Sequence, residues 1–315
     1  MTKAPYPVDL HTHTVNSDGN DTPYELVMNA AARGVKVLAV TDHDVLPPRT
    51  AQIPGNGEMD LVEFAKAQGV ALIRGIEFSC ETSVQDVHIV GLGCDWDGEI
   101  MAEEVKKIAH SKAAAYVETV RRLNERGYAM DMEEILSLGG RRIDLLELQK
   151  KRIFDMMALK GYTPDWKSAK LLVREDPYLS VEREKPSGVH IIDAIHRSGG
   201  IAILAHPMLI DEVVEKDGRR MTRWEFIETL IEAGLDGIEG RYTYDKTSCK
   251  DRRRREDIWQ DVLDRYTGRL FLSAGSDYHA DVKKGAKNQR EIGECGLTME
   301  EFLAVPQLRA LYETL

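Results

Sequence analysis

Seven short apolar segments recur along the chain, and stretches with helical spacing separate most of them. Residues 35–41 are almost continuously apolar, which is typical of a strand buried on both faces of a parallel sheet. The other six segments are residues 7–10, 70–76, 87–92, 201–205, 237–239 and 270–273. Thr22 and Pro23 open a helix between the first two, because proline fits the first helical turn. This alternation predicts an α/β barrel.

One long segment, residues 99–198, breaks the alternation. It contains no convincing strand pattern and is rich in Lys, Arg, Glu, Leu and Met at helical spacing. We predict a helical insertion domain over residues 99–198, set into a discontinuous barrel domain formed by residues 1–98 and 199–315. A chain of 315 residues is long enough for one such barrel and its insertion.

Composition narrows the functional classes. The formal net charge of −11 argues against a surface that binds duplex nucleic acid, which would be basic. The four cysteines are scattered without a Cys-x-x-Cys pair, so neither a disulfide framework nor a structural zinc site is predicted. No segment reaches the roughly 18 apolar residues that a membrane span requires. We expect a cytoplasmic protein that does not bind membranes, and the sequence leaves its oligomeric state open.

Polar residues capable of binding metals follow the predicted strands. Those at or just beyond strand ends are His11, His13, His43, Glu77, His206, Asp277 and His279, and His88 lies near the start of the fourth strand. In a β/α barrel the carboxyl ends of the strands share one face, where active sites lie. Imidazoles and carboxylates are common ligands of divalent metals. The pattern therefore predicts a metal site on that face.

Six short motifs carry a resemblance to one family. They are Asp9-Leu-His11-Thr-His13 with Ser17-Asp18-Gly19, Thr41-Asp42-His43-Asp44, Gly75-Ile76-Glu77, His88-Ile-Val-Gly91, Leu204-Ala205-His206-Pro207 and Gly275-Ser276-Asp277-Tyr278-His279. In this order they resemble the polymerase and histidinol phosphatase (PHP) family of metal-dependent phosphoesterases. The resemblance implies a distorted (β/α)7 barrel and two to three divalent metal ions per chain.

The resemblance also implies a ligand set. A first metal would bind His11, His13, Glu77 and Asp277; Glu77 would bridge to a second on His88 and His206; a third would bind Asp18, His43 and His279. Many relatives have His where Asp18 stands, and a carboxylate favours manganese, magnesium or iron over zinc. Manganese is therefore the preferred cofactor, with iron, zinc and magnesium as alternatives. Asp9 and Asp42 either orient ligand imidazoles or make ordinary hydrogen bonds.

The implied reaction is hydrolysis of a phosphate ester, with a catalytic water held by His11, His13, Glu77 and Asp277 and activated between two metals. No Gly-x-Ser-x-Gly or Walker motif is present, which argues against a serine hydrolase or a P-loop NTPase. An amidohydrolase of the same fold would carry a bridging lysine, for which the sequence offers no candidate.

Basic residues in the insertion suggest the substrate class. They are Arg141, Arg142, Lys150, Lys151 and Arg152. The chain resembles the subgroup of phosphatases acting on 3',5'-bisphosphonucleotides and of related ribonucleases, in which an Arg is followed two residues later by His. Here Arg152 is followed by Ile153-Phe154, so only the Arg matches. We predict that Arg152 binds a phosphate that is not hydrolysed.

Three functions remain as alternatives. The first is hydrolysis of a phosphomonoester of a small nucleotide, either a 3',5'-bisphosphonucleotide or the end of a short oligoribonucleotide. The second is a monoester phosphatase like histidinol phosphatase. The third, a non-catalytic PHP module that serves a partner protein, is disfavoured because every expected ligand position is filled. The basic run Asp251–Glu256 is either a polyanion contact or an exposed helix start.

Overall fold

The computed structural model describes residues 2–315, and its centre is a seven-stranded sheet. The spatial order of the strands is β1 (Val8–Asp9), β2 (Val37–Val40), β5 (Ala71–Cys80), β6 (Val87–Leu92), β7 (Ile201–Leu204), β10 (Gly237–Arg241) and β11 (Phe271–Ala274). All seven predicted strands are present. The Leu10 amide donates to Ala274 O (3.2 Å) and the His13 amide to Tyr278 O (2.9 Å), so the first and last strands meet in a nearly closed barrel.

One strand reverses direction within this barrel. All neighbouring strands pair in parallel except β6, which runs antiparallel to both β5 and β7. The start of β6 therefore lies on the same barrel face as the carboxyl ends of the other strands. This reversal explains why a polar residue at the start of the fourth strand can join residues that follow the ends of the others.

The strands of the barrel are buried on both faces, and their side chains form the core. In β2, Val37 and Ala39 face the barrel interior while Leu38 and Val40 face the helices, and all four are fully buried. This is the pattern that the continuous apolar run predicted, since alternate side chains point to opposite faces.

Helices and two small hairpins surround the sheet. The helices of this part are α1 (Pro23–Arg33), α2 (Leu61–Ala67), α7 (Gly188–Arg197), α8 (Arg223–Glu232), α9 (Arg255–Tyr266), α10 (Met299–Ala304) and α11 (Pro306–Tyr312). The hairpins pair β3 (Thr50–Ile53) with β4 (Gly57–Asp60) and β8 (Val213–Lys216) with β9 (Arg219–Thr222). Thr22 caps α1 through a capping box with Glu25, and Gly34 ends it at φ 80°. None of the described helices combines the length and apolarity needed to span a membrane.

The chain divides into two compact units. One contains residues 1–104 and 186–315, and the other contains residues 105–185. The second unit is helical: besides most of α3 (Glu99–Glu125) it holds α4 (Met132–Leu136), α5 (Lys150–Leu159) and α6 (Trp166–Glu175). Its own apolar core includes Leu123, Ile135, Ile153 and Met157.

These boundaries differ from the predicted insertion, residues 99–198. The helix α7 belongs to the barrel unit, because Ile191, Ile192 and Ile195 are fully buried and the helix packs on β6 and β7. The amphipathic pattern of α7 resembles that of the inserted helices, so the sequence offered no signal that separates them.

Candidate metal centre

The predicted ligands lie on one face of the barrel, in loops and on the strands that lead to them. His11 and His13 follow β1, His43 follows β2, His206 follows β7, and Asp277 and His279 follow β11, while Glu77 and His88 lie on paired strands β5 and β6. Asp18 comes from the loop between β1 and α1. The nine side chains form four overlapping groups of metal-binding type: His13, Asp18, His43 and His279; His11, His13 and Asp277; His11, Glu77 and His206; His43, Glu77 and His88.

Glu77 is the centre of this cluster and is fully buried. Its Oε1 lies 2.9 Å from both His88 Nδ1 and His206 Nε2. Its Oε2 lies 3.0–3.2 Å from the nearest ring nitrogens of His11, His13 and His43, yet accepts no hydrogen bond in the described part of the chain. Burial opposes ionisation, but the surrounding imidazoles hold the pKa of Glu77 well below its ordinary value.

Asp277 presents its two oxygens to different partners. Its Oδ1 lies 3.0 Å from His13 Nε2. Its Oδ2 accepts from the Tyr242 hydroxyl and from Arg290, both at 2.6 Å. Burial and the Asp277 carboxylate raise the pKa of Tyr242 well above its ordinary value, so the hydroxyl keeps its proton and remains a donor. Tyr242 and Arg290 therefore hold Asp277 with Oδ1 turned towards the cluster.

Asp18 forms the most open part of the cluster. Its Oδ1 lies 3.0 Å from His279 Nε2 and 4.0 Å from His43 Nε2. The Asp18 side chain is 60% exposed, whereas that of Glu77 is 1% exposed. The predicted third metal group therefore contains the most exposed carboxylate of the cluster.

Hydrogen bonds to the outer nitrogens of the imidazole rings indicate which nitrogens are free to bind a cation. His11 Nδ1 lies 2.8 Å from the Glu239 carboxylate, which can only accept, so this nitrogen carries the proton. In its neutral form the His11 ring would turn the lone pair of Nε2 towards His13 Nε2, 3.0 Å away, and Glu77. His279 Nδ1 likewise donates to the Asp277 carbonyl (2.8 Å), leaving Nε2 to face Asp18. Lone pairs that face one another at this distance require a proton or a cation between them.

Without a metal, the neighbouring carboxylates favour protons at these positions. Burial lowers the pKa of His13, but Asp277 and Glu77 outweigh it and raise this pKa to about 9. Glu77 and Glu239 likewise raise the pKa of His11 well above its ordinary value. A divalent cation would replace such protons, because metal binding releases protons from its ligands. The donor set of imidazoles and carboxylates fits manganese, iron or zinc.

Backbone geometry at the site is specialised. His206 (φ 30°) and Asp277 (φ 51°) both occupy the left-handed region, which is unfavourable for residues with a side chain. Gly275 is needed for close approach, since a Cβ there would lie 2.2 Å from His11 Cβ. The fold thus holds two predicted ligands in strained conformations and leaves no room beside a third.

Asp9 and Asp42 support backbone and hydroxyl groups and do not touch ligand rings. Asp9 accepts from the amides of His11, Ser276 and Gly293, and Asp42 accepts from Thr14 and Ser17. Of the two roles considered for these carboxylates, the structure has the ordinary hydrogen-bonding one.

Three side chains around the cluster were missed by sequence reasoning: Glu239, Tyr242 and Arg290. A signal existed for Glu239, because Gly237-Ile238-Glu239 repeats the tripeptide Gly75-Ile76-Glu77 at another strand end. Tyr242 and Arg290 carry no comparable local pattern, and only the folded chain brings them to Asp277.

Arg152 lies in the other unit, residues 105–185. Its guanidinium donates to the carbonyl oxygens of Ile135 (3.3 Å), Leu136 (3.1 Å) and Leu138 at the end of α4. These bonds place a positive charge beside carbonyl oxygens at the carboxyl end of α4, where a cation is favourable. The predicted contact with a substrate phosphate stays a prediction.

Known proteins resemble this chain in sequence. The PHP domain model matches residues 9–164. A phosphoribosyl 1,2-cyclic phosphate 1,2-diphosphodiesterase of Eggerthella lenta is 29% identical, over 86% of this chain and 93% of that protein. A 3',5'-nucleoside bisphosphate phosphatase of Chromobacterium violaceum is 28% identical, over 91% of this chain and 90% of that protein.

A solved structure supports the fold independently. The crystal structure of a candidate metal-dependent phosphoesterase from Bifidobacterium adolescentis superposes with a TM-score of 0.68, covering 95% of each chain at 22% identity. The seven-stranded barrel with its helices is therefore a shared architecture.

Proposed function

The chain belongs to the PHP family of phosphoesterases, and we propose that it removes a phosphate from a small nucleotide, with a 3',5'-bisphosphonucleotide as the leading substrate. The family gives the reaction class, hydrolysis of a phosphoric ester on a nucleotide-related molecule. The proposal adds the substrate, the phosphomonoester bond and the residues that act.

The observation that carries the proposal is the convergence of nine nitrogen and oxygen donor side chains, among them the buried Glu77. We propose that His11, His13, Asp18, His43, Glu77, His88, His206, Asp277 and His279 bind two to three divalent cations, with manganese preferred. Such cations, when bound, neutralise phosphate oxygens and lower the pKa of water.

The protein's own groups prepare the site for an anionic substrate. Arg290 and Tyr242 keep Asp277 oriented through its Oδ2. Glu77 gathers five imidazoles within 3.2 Å of its two oxygens, which fixes their ring nitrogens in one small volume. A preorganised site of this kind needs little rearrangement when charge develops on the reacting phosphate.

A cyclic phosphodiester is the second candidate substrate. The Eggerthella lenta relative that is named for this activity is as similar over its length as the bisphosphate phosphatase is. A monoester phosphatase like histidinol phosphatase remains a further alternative.

One substrate panel tests the proposal. Protein reconstituted with manganese should release phosphate from a 3',5'-bisphosphonucleotide faster than from nucleoside monophosphates, short oligoribonucleotides, histidinol phosphate or a ribose cyclic phosphate. Phosphate release and phosphorus NMR distinguish loss of one monoester from ring opening. Faster turnover of the cyclic diester or of histidinol phosphate would replace the leading substrate. No turnover on any ester would remove the proposed function.

A further inference from the structure

Glu239 lies behind the metal cluster and contacts two of its members. The residue is in β10, between β7 and β11, and is 1% exposed. One carboxylate oxygen lies 2.8 Å from His11 Nδ1, and the other accepts from the backbone amide of His206 at 2.7 Å. Glu239 belongs to none of the four candidate coordination groups among the described residues, although His11 and His206 share one of them with Glu77.

We propose that Glu239 is a positioning residue that holds His11 and His206 in the geometry required by one divalent cation. The inference rests on the proposed metal centre and deepens it, because it names what sets the affinity of the group formed by His11, Glu77 and His206. Glu239 acts through these two histidines and is not itself a ligand.

The first contact determines which nitrogen of His11 is free. A carboxylate accepts hydrogen bonds only, so Glu239 selects the tautomer with the proton on Nδ1. The lone pair of Nε2 then points to Glu77 Oε2, 3.1 Å away. A carboxylate behind a ligating imidazole also makes that imidazole a stronger donor to a metal.

The second contact holds a strained backbone. His206 has φ 30°, and such conformations persist only when surrounding contacts over-determine them. Its Nδ1 is buried and makes no hydrogen bond within the part of the chain that is described. Because no hydrogen bond from a described residue holds this ring through Nδ1, the backbone contributes to its orientation, and Glu239 anchors that backbone through the amide.

The strand itself turns Glu239 towards both partners. The pairing of β10 with β11 shifts register between Glu239 and Arg241. Bulges of this kind re-aim side chains and often lie beside active sites. The carboxylate reaches His11, which follows β1, and His206, which follows β7, at the same time.

Glu239→Gln tests the inference with metal binding as the readout. An amide has one accepting oxygen, so either His11 Nδ1 or the His206 amide would face an NH2 group. We expect the manganese affinity of one site, measured by calorimetry on metal-free protein, to fall by roughly 10- to 100-fold. The number of ions bound at saturating manganese should equal that of the wild type.

Glu81→Gln is the matched control. Glu81 is also a buried carboxylate, and it accepts from the Gly188 amide (2.8 Å) and pairs with Lys216 (2.6 Å) without touching a predicted ligand. It should lose stability without losing manganese affinity. Equal loss of affinity in both variants would overturn the inference, as would wild-type affinity in Glu239→Gln.

Two further outcomes distinguish a failure of this inference from a failure of the proposed metal centre. Permanent loss of one ion at saturating manganese would make Glu239 a ligand and overturn its positioning role. Wild-type protein that binds no manganese would remove the proposed metal centre itself, which is a different failure. If Glu239→Gln does not fold, Glu239→Asp keeps the charge but withdraws the carboxylate by one methylene; it should also bind manganese more weakly, and wild-type affinity in that variant would contradict the inference.

Discussion

The tripeptide Gly-Ile-Glu occurs in two barrel strands, β5 and β10, and the two glutamates have opposite surroundings. Glu77 and Glu239 are both almost completely buried, at 0% and 1% exposure. The Oε2 atom of Glu77 has three imidazole nitrogens within 3.2 Å but accepts no hydrogen bond among the described residues. Glu239 receives a proton donor on each of its oxygens.

This difference separates a carboxylate that can bind a cation from one that orients its neighbours. A buried carboxylate whose partners are N–H groups is already satisfied and has no need of a further charge. One that faces ring lone pairs is compensated only when protons or cations lie between them. The local sequence is the same at both positions, so the neighbouring strands decide which situation arises.

Glu77→Gln should have the largest effect on metal binding and activity. It removes the negative charge shared by the first two predicted metal groups, so we expect both loss of bound manganese and a fall in kcat of roughly 10³-fold or more, equivalent to several kcal/mol. Elemental analysis and steady-state kinetics measure the two effects. Glu81→Gln again serves as the control for removing a buried charge.

The comparison would fail if Glu77→Gln kept its metal content and lost no more activity than Glu239→Gln. In that case the two glutamates would have equivalent roles, and the lack of a hydrogen bond at Glu77 Oε2 would carry no functional meaning.

Asp18→Asn tests an exposed carboxylate of the same cluster, in contrast to the buried Glu77. The change keeps the shape but removes the charge, so the group with His43 and His279 should lose about one equivalent of metal while the Glu77 pair stays filled. We expect kcat to fall by roughly 10²-fold, with a smaller change in KM. Metal analysis of both proteins purified side by side in excess manganese provides the measurement.

Wild-type metal content and kcat in Asp18→Asn would show that Asp18 is not a ligand. The centre would then bind fewer ions than the resemblance implies. Glu77 and Asp277 would be the carboxylates that remain in the predicted ligand set.

Arg152→Ala should have the smallest effect, because Arg152 belongs to none of the predicted metal groups. If it binds a non-reacting phosphate, KM for a 3',5'-bisphosphonucleotide should rise by about 10-fold, as expected for one charge-assisted hydrogen bond, while manganese content is unchanged. KM for a simple aryl phosphate should stay constant. Thermal unfolding is needed beside the kinetics, because the same guanidinium binds carbonyls at the end of α4.

Equal changes in KM for both substrates would contradict the phosphate contact. Reduced thermal stability with unchanged KM would leave Arg152 with the structural role that its bonds to α4 already provide.

Much of the barrel was predictable because its signals are local. A continuous apolar run such as residues 37–40 has few alternatives to a strand buried on both faces. The two hairpins, β3–β4 and β8–β9, were not predicted, since Thr50–Ile53 and Arg219–Thr222 are short and largely polar. The assignment of α7 to the barrel was also missed, because its apolar face is compatible with packing on any partner.

The sequence alone was enough to show that metal-binding side chains follow five of the seven predicted strands, that another lies near the start of the fourth strand, and that the chain resembles a family of phosphoesterases. Residue type, spacing and strand periodicity are properties of short segments, and these properties survive without a structure. The tertiary structure was needed to show that β6 runs antiparallel, which brings His88 beside Glu77. It was also needed to show that Tyr242 and Arg290 hold Asp277. It also gave two identical tripeptides different roles, because the role of a buried carboxylate depends on which protons and lone pairs surround it, and those come from distant parts of the chain.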